Sequence, residues 1–201
     1  MIKDTVKLAK TLAGLIPIVM LLGCGNPADN VTSASTGKAS GTTKDAAKAD
    51  PEARYFAFGP EPSTVEFIGS KVTGSHNGGF KNFRGEYKVV KSRLADAGNK
   101  VIIATTSLWA ATDRLTGHLK SPDFFNVAQF PTATFVSTAI DQTKDPATVT
   151  GDLTLHGVTK AISFPAKIQI NETEVRVTAE FSLNRFDFDI VYPGKANDLI
   201  R

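Results

Sequence analysis

The side chains of this sequence that could take part in acid–base or metal chemistry are few and far apart. Its three histidines, His76, His118 and His156, do not have the spacing typical of a metal site. Asp187 and Asp189 lie two positions apart on a predicted strand, so both would face one side, either as a catalytic carboxylate pair or as part of a solvated edge. Neither a Gly-x-Ser-x-Gly elbow nor a glycine-rich phosphate loop occurs. We therefore predict a protein that is not an enzyme and that has no metal site and no cofactor.

The one cysteine of the chain, Cys24, lies where a modification is expected. Three lysines and a short apolar run over 12–22 precede it, an order typical of a secretory signal peptide. The apolar run is about half of the roughly 20 residues that a membrane-spanning helix needs. The sequence LLGC at 21–24 resembles the bacterial lipobox, in which the signal peptide is removed and the thiol is acylated. We predict a signal peptide over 1–23 and lipid attachment at Cys24; the alternative is an ordinary signal peptide with a chance cysteine.

This signal indicates the cell envelope of a bacterium, with the protein anchored to a membrane through Cys24 and facing the periplasm. Gly25 follows the cysteine in place of the aspartate that is common in lipoproteins of the inner membrane, which favours the outer membrane. No second cysteine is available for a disulfide. The net charge is +3 without a dense cluster of Lys and Arg, so nucleic acid is not an expected partner. The sequence leaves a monomer and a homodimer both open.

Composition divides the remaining chain into a tether and a domain. Residues 24–53 are mostly Ala, Ser, Thr, Gly, Asp and Lys, which cannot bury enough apolar surface to offset the entropy of ordering them. We predict a flexible tether over 24–53, spanning on the order of 30 Å on average, and one β domain over 54–201. The tether either extends the domain away from its membrane or is a spacer without a selected length.

Segments rich in Val, Ile, Thr and Phe, many of them alternating with polar residues, predict β-strands from residue 64 onward. The predicted strands are 64–68, 80–90, 101–108, 133–140, 148–155, 161–170, 174–183 and 186–191. Turn-forming sequences stand at 77–79, 96–99 and 156–157, and the short connections favour antiparallel pairing. Only 113–127 indicates helix, with Asp113 as a candidate cap. The predicted fold class is all-β, an antiparallel barrel of about eight strands or a sandwich, with one short helical insertion.

Phenylalanine dominates the aromatic residues of the chain, with 13 Phe against three Tyr and one Trp. Most of the Phe residues lie in the predicted strands or in the helical insertion. An eight-stranded barrel is just wide enough either to be filled by side chains or to hold one small ligand. The same Phe residues therefore serve a packed core or a ligand pocket, and their pattern does not distinguish the two.

Four segments resemble the YceI-like family. The sequences HLKSPDFF at 118–125 and FPTATF at 130–135 are similar to its HLxSxDFF and YPxxxF segments. The sequence VTGDLTLHGVTK at 149–160 matches a hairpin of the family almost letter for letter, and NRFDF at 184–188 is similar to its R-x-DF strand. The segments occur in the order that the family has, so the resemblance covers the chain from about residue 62 to its end.

The resemblance implies a lipocalin-like antiparallel barrel with an elongated apolar cavity. It also implies that the ligand is a polyisoprenoid chain or a similar long amphiphile, held for carriage, storage or stress protection. Two features depart from the family pattern. Pro62-Ser63 stands where the family has His-Ser, and the chain ends at Arg201, before the further strand that the family has after its DLI sequence. An absent last strand would leave the barrel open along one edge.

The resemblance further implies that aromatic side chains line the cavity and that polar groups near its mouth orient the ligand. The predicted aromatic lining consists of Phe67, Phe80, Phe83, Trp109, Phe124, Phe125, Phe135, Phe164, Phe181 and Phe186. The predicted polar residues are Arg114, His118, Asp123, His156 and Asp187. Each polar side chain has a purely structural alternative, in capping a turn, shaping a hairpin or forming an ion pair. Phe124 and Phe125 are candidates for a lid.

The alternative function is a ligand-free barrel, tethered to the membrane, that docks another envelope protein.

Overall fold

The β-rich segments of the chain form antiparallel strands in the residues that the computed structural model describes, which are 31–41, 52–71 and 74–192. These residues contain twelve strands and one α-helix. The strands are β1 (Ser35–Lys38), β2 (Arg54–Phe58), β3 (Val65–Lys71), β4 (Gly74–Phe80), β5 (Phe83–Val90), β6 (Arg93–Leu94), β7 (Lys100–Ala104), β8 (Leu108–Ala110), β9 (Thr132–Asp141), β10 (Ala147–Leu155), β11 (Val158–Ile170) and β12 (Val175–Ala179). The helix α1 spans Asp113–Lys120.

The strands are arranged in two sheets. The larger sheet has the order β1-β11-β10-β9-β7-β5-β2, with β12 also paired to β11 and β6 also paired to β5. The smaller sheet has the order β3-β4-β8. The predicted all-β antiparallel fold with a helical insertion is confirmed. The strands are more numerous than predicted, and no ladder joins the two sheets within the described ranges. The position after Arg201, where the further strand of the family is expected, lies outside those ranges.

Two clusters of buried side chains form the core. The first is formed by strands throughout the larger sheet and consists of Phe56, Val89, Leu94, Ile140, Val149, Ala166 and Val175. The second joins β10 and β11 to the segments after α1 and β12, and it consists of Phe124, Leu153, Ile162, Phe188 and Ile190. Tyr87 packs against the first cluster with its ring stacked on Phe58 at 4.5 Å between centroids. Burial raises the pKa of the Tyr87 phenol above its usual range.

Two turn predictions have different outcomes. His156 and Gly157 connect β10 and β11 as predicted, with φ angles of 51° and 78°. Two consecutive positive φ angles are typical of the tight type I′ hairpin turn. The predicted turn at 77–79 is wrong, because these residues lie inside β4 and pair with β3 and β8. Glycine within a strand marks a place where another group approaches the backbone closely.

The predicted strand over 186–191 is also wrong. Arg185–Phe188 instead forms a 3₁₀ turn, in which the Asn184 side chain accepts a hydrogen bond from the backbone N–H of Phe186 at 3.1 Å. Asp189 ends the turn with a positive φ of 54°. Asp187 and Asp189 therefore do not share one side of a strand, and the geometric basis for a carboxylate pair is lost.

The N-cap of α1 lies one residue before the predicted cap. The hydroxyl of Thr112, not Asp113, accepts a hydrogen bond from the backbone N–H of Leu115 at 3.2 Å. After α1, the carbonyl of Ser121 accepts a hydrogen bond from the backbone N–H of Phe124 at 3.1 Å. This turn brings Phe124 into the second core cluster.

A strand lies within the segment predicted to be a flexible tether. Strand β1 pairs antiparallel with β11, from Ser35 opposite Ser163 to Lys38 opposite Lys160. Its side chains are exposed, so backbone hydrogen bonds hold it, and hydrophobic patterning gives no signal for it. The tether prediction therefore differs from the structure over 33–38, and its residues 24–30 and 42–51 lie outside the described ranges. The predicted signal peptide and Cys24 lie outside the described residues. In the part of the chain that the structure describes, no helix is long and apolar enough to cross a membrane.

Candidate functional site

Three phenylalanine rings from three elements meet on one face of the smaller sheet. Phe67 of β3 lies opposite Gly78 of β4, and Phe80 lies two residues further along β4. Because directly paired and alternate residues of antiparallel strands share a face, both rings lie on the same side. Phe125, from the turns after α1, covers them. The ring centroids are 5.8 Å apart for Phe67 and Phe80, 5.9 Å for Phe80 and Phe125, and 6.2 Å for Phe67 and Phe125. We call these three residues the outer aromatic cluster.

The glycines of β4 make room for these rings. A Cβ atom added at Gly78 would lie 2.5 Å from the ring of Phe67 and 2.7 Å from the carbonyl oxygen of Trp109. A Cβ atom added at Gly79 would lie 2.9 Å from the indole nitrogen of Trp109. Trp109 pairs directly with Gly79, so its ring lies on the face opposite to Phe67. The outer aromatic cluster therefore needs a backbone without a side chain beneath it.

Next to the outer aromatic cluster lies an open depression of about 510 Å³. It is lined by His76, Thr112, Arg114, Leu115 and His118. His76 shares the face of β4 that carries Phe80 and lies four residues before it, about 13 Å along the strand. The residues of α1 and its cap form the other side. Imidazole and guanidinium groups are hydrogen-bond donors, and the N-terminus of a helix adds a partial positive charge. The depression is therefore suited to a polar group with acceptor oxygens.

His118 connects the depression to the core. Its Nε2 atom lies 3.4 Å from a carboxylate oxygen of the exposed Asp123. The imidazole meets the rings of Phe124 and Tyr192 edge-on, each at 5.0 Å between centroids. Phe124 and Tyr192 stack on one another, also at 5.0 Å. Asp123 and two aromatic rings therefore fix the orientation of the His118 side chain.

The interior between the strands of the larger sheet is occupied by aromatic side chains of the protein itself. Phe135 of β9 and Phe164 of β11 have centroids 5.5 Å apart. Phe181, which follows β12, stacks on Phe164 at 4.1 Å with an angle of 17° between the ring planes. These three rings are partly buried and pack against the core clusters, so predicted lining residues contact one another. Among the other predicted lining residues, Phe124 and Phe83 are buried in the protein.

Three of the other predicted site residues lie away from the outer aromatic cluster and the depression. His156 sits in the β10–β11 turn, where its Nδ1 atom lies 3.2 Å from the carbonyl oxygen of Phe188 and its ring contacts Phe130. Phe186 is 48% exposed, with the Arg185 guanidinium 4.2 Å from its ring centroid. Asp187 accepts a hydrogen bond from the hydroxyl of Thr36 at 2.9 Å.

The structure thus brings Arg114 and His118 together in one depression, with Asp123 and Phe125 beside them. Sequence analysis missed His76, although the alternation His76, Gly78, Phe80 already indicates a shared face of one strand. It also missed Tyr192, for which the sequence gives no signal.

A second depression of about 520 Å³, lined by Glu52, Arg54, Lys91, Ser92 and Glu172, carries charges of both signs. The described ranges contain no group of three His, Cys, Asp or Glu side chains that could hold a metal.

Comparison with known proteins identifies the domain. Residues 56–201 match the YceI-like domain. The chain belongs to the YceI-like family. This YceI-like chain is 35% identical over 131 residues to a UPF0312 protein of Pseudomonas putida. The alignment covers 62% of the chain and 68% of the relative. The chain is 41% identical over 91 residues to the protein YceI of Escherichia coli, which covers 45% of the chain and 48% of the relative.

Solved structures support the fold of this YceI-like domain. A polyisoprenoid binding domain from Saccharophagus degradans, implicated in plant cell wall breakdown, superimposes with a TM-score of 0.54 at 19% identity, over 68% of this chain and 80% of that one. BcnA of Burkholderia cenocepacia superimposes with a TM-score of 0.52 at 21% identity, over the same shares of the two chains. At such identities the likeness shows a shared fold.

The close approach of Phe67 and Trp109 to Gly78 predicts that Gly78→Ala destabilises the domain. An added methyl group would meet a backbone oxygen as well as a ring, so we expect a loss of about 1–3 kcal/mol in the free energy of unfolding. Gly117→Ala is the matched control, because Gly117 lies in α1 with no atom near the added Cβ, and the change should stabilise by roughly 0.5–1 kcal/mol. Urea unfolding measures both values, and a Gly78→Ala domain as stable as the wild type would contradict the packing described above.

Proposed function

We propose that this chain is a membrane-anchored lipid-binding protein of the bacterial envelope, which holds a long apolar chain such as a polyisoprenoid. Its role would be carriage, storage or stress protection, by binding rather than by catalysis. Membership of the YceI-like family supports lipid binding, as does the fold it shares with a structure described as a polyisoprenoid binding domain. The observation that carries the proposal is that the outer aromatic cluster shares a face of β4 with His76, which lines a depression rich in hydrogen-bond donors.

This arrangement offers an apolar surface for the hydrocarbon chain of an amphiphile and a polar surface for its head group. Each methylene group of a lipid chain withdrawn from water contributes about 0.8 kcal/mol, so the rings of Phe67, Phe80 and Phe125 attract a hydrocarbon chain without directed bonds. Arg114, His76 and His118 offer donors to the oxygens of a head group. Within the described ranges no carboxylate lies at ion-pair distance from Arg114, whereas Asp123 already contacts His118. The Arg114 guanidinium is therefore a charged donor that is available to a ligand.

Anchoring through Cys24 accounts for the order of the segments in the chain. The signal sequence ends in a lipobox-like LLGC at 21–24, and the acyl chains would attach to the thiol in front of the β domain. Two or more acyl chains hold a protein firmly to a bilayer, whereas one holds it only marginally. A lipid-binding domain held at a membrane surface stays close to the source of its ligand.

The first experiment is analysis of the lipid that accompanies the protein. The full chain, expressed in bacteria and purified without added lipid, is examined by native mass spectrometry, and a solvent extract of the same sample is analysed for lipids. A discrete added mass that resolves into a polyprenyl or other long-chain species supports the proposal. A clean apo mass, unchanged after incubation with polyprenols, quinones and fatty amides, contradicts it.

The second candidate function is that of a ligand-free module that docks another envelope protein. The close stacking of Phe135, Phe164 and Phe181 favours this candidate, because these rings already have partners within the protein. A clean apo mass in the experiment above is the result that this candidate predicts.

The outer aromatic cluster predicts the effect of truncating two of its rings. Phe67→Ala combined with Phe125→Ala should weaken binding of a C20 prenyl alcohol by about tenfold or more, since each buried Phe contributes about 1.5–3 kcal/mol. Both side chains are only partly buried, in contrast to Phe124, so the double variant should lose less stability than Phe124→Ala. Phe186→Ala is the control, because this ring is exposed and lies against Arg185. Titration followed by native mass spectrometry measures the affinities, and equal binding by both variants would remove the cluster from the site.

The depression predicts a dependence on the head group. Arg114→Gln should weaken binding of a C20 prenyl monophosphate on the order of tenfold, because a hydrogen bond to a charged group contributes about 1.5–3 kcal/mol. Binding of the corresponding alcohol should change little. Arg84→Gln is the matched control, since Arg84 is exposed on β5 and does not line the depression. If Arg114→Gln weakens the alcohol and the phosphate equally, Arg114 does not recognise the head group.

The proposed anchor predicts the chemistry of the mature N-terminus. Mass spectrometry of the N-terminal peptide should find Cys24 as the first residue, with acyl chains attached, in the membrane fraction. Cys24→Ser should abolish the acyl mass and leave the signal sequence in place, because the lipobox no longer has its thiol. An unmodified cysteine in a secreted, water-extractable protein would contradict the anchor and indicate an ordinary signal peptide.

A further inference from the structure

The N-terminal strand β1 contacts more than the edge of β11. Its pairing covers residues 160–163, next to the part of β11 that pairs with β12 at 166–170. Two further contacts reach the segment 181–190, which we call the closing segment. Ser182 donates its N–H to the carbonyl of Thr32 at 3.1 Å and accepts a hydrogen bond from the N–H of Ala34 at 2.9 Å.

The second contact with the closing segment is five residues further along. The hydroxyl of Thr36 donates a hydrogen bond to the Asp187 carboxylate at 2.9 Å. The hydroxyls of Ser33 and Ser182 are also within hydrogen-bond distance, at 2.9 Å. The N-terminal strand therefore holds the closing segment at both ends, across about 150 residues of sequence.

The closing segment carries the side chains that fill the interior. Phe181 stacks on Phe164, and Phe188 and Ile190 are fully buried in the second core cluster. Between them the backbone forms a 3₁₀ turn and no ladder, apart from the bridge of Ser182 to Ser33. Segments with few backbone partners open locally more easily than the central strands of a sheet.

We propose that β1 is a clasp, which keeps the closing segment in place and thereby keeps the interior filled by Phe181. Release of β1 frees the closing segment, and withdrawal of Phe181 from Phe164 opens an aromatic slot for an apolar chain. The clasp itself buries no large apolar side chain, since Ser35, Thr36, Gly37 and Lys38 are all exposed. Its hold is therefore weak enough to be displaced without unfolding the core. The part of the inference that concerns lipid entry rests on the proposed function.

Hydrogen exchange of the full chain, followed by mass spectrometry, tests the clasp without any ligand. A double variant with Thr36→Pro and Gly37→Pro lacks two successive backbone N–H donors. Because successive N–H groups of a strand point to opposite sides, one of the two faces β11. We expect exchange in 181–190 to accelerate at least tenfold, while exchange in β9 and β10 stays at the wild-type rate. Unchanged exchange in 181–190, with 33–38 deprotected, would overturn the proposal and leave β1 as a passive cover of the edge.

A milder pair of variants decides the outcome if the double proline variant does not fold. Thr36→Val has nearly the same shape as threonine but lacks the donor to Asp187, and we expect exchange in 181–190 to accelerate between about twofold and tenfold. Thr36→Ser keeps the hydroxyl and serves as the matched control. Equal exchange in the two variants would overturn the link between β1 and the closing segment.

Uptake of a C20 prenyl alcohol separates the clasp from the proposed function. If both are correct, the proline variant takes up the alcohol several-fold faster than the wild type. Faster exchange in 181–190 with no uptake by any variant would retain the clasp and contradict lipid binding. Uptake at the same rate by the wild type and the proline variant would overturn the role of the clasp in entry.

Discussion

The packing of this domain depends on aromatic rings that lie against glycine backbone. Phe67 lies over Gly78, Phe58 over Gly85 and Phe135 over Gly151, and in each case an added Cβ atom would come within 2.5 Å of the ring. A pleated sheet with a side chain at these positions would hold each ring away from the strand. Glycine removes that obstacle at the cost of backbone entropy, and the ring recovers stability by covering the exposed peptide groups. The outer aromatic cluster and the filled interior both use this arrangement.

The sequence predicts the central strands well because hydrophobic alternation is strong there. Strands β9, β10 and β11 and the His156-Gly157 turn occur close to their predicted positions. Two of the errors have the same physical origin, which is that local signals cannot report distant partners. Gly78 and Gly79 have the composition of a turn, but they lie within β4, where the rings of Phe67 and Trp109 pack against their backbone. Strand β1 has the composition of a tether and forms only because β11 offers it an edge.

The candidate site was predictable in part. His118 and Phe125 lie within the family motif, Arg114 lies four residues before it, and the structure places them around one region. His76 joins them because β4 continues through Gly78 and Gly79, where the glycines had predicted a turn. Phe135, Phe164 and Phe181 were predicted to line a cavity and instead pack on one another, because composition does not distinguish a lined space from a filled one. The geometry therefore divides these partly buried aromatic residues into two groups, the outer aromatic cluster and the rings of Phe135, Phe164 and Phe181 on the larger sheet.

If the chain is anchored through Cys24 as proposed, the docking of β1 changes the distance of the domain from the membrane. A free tether over residues 25–53 would let the domain move up to about 100 Å from Cys24 when fully extended. With β1 in place, only residues 25–32 connect Cys24 to the docked segment. Fully extended, these eight residues span at most about 28 Å. The edge formed by β11 and the closing segment would then be the side of the domain nearest to the bilayer. A protein anchored in this way would work against the membrane surface, and would reach across the periplasm only after β1 had detached.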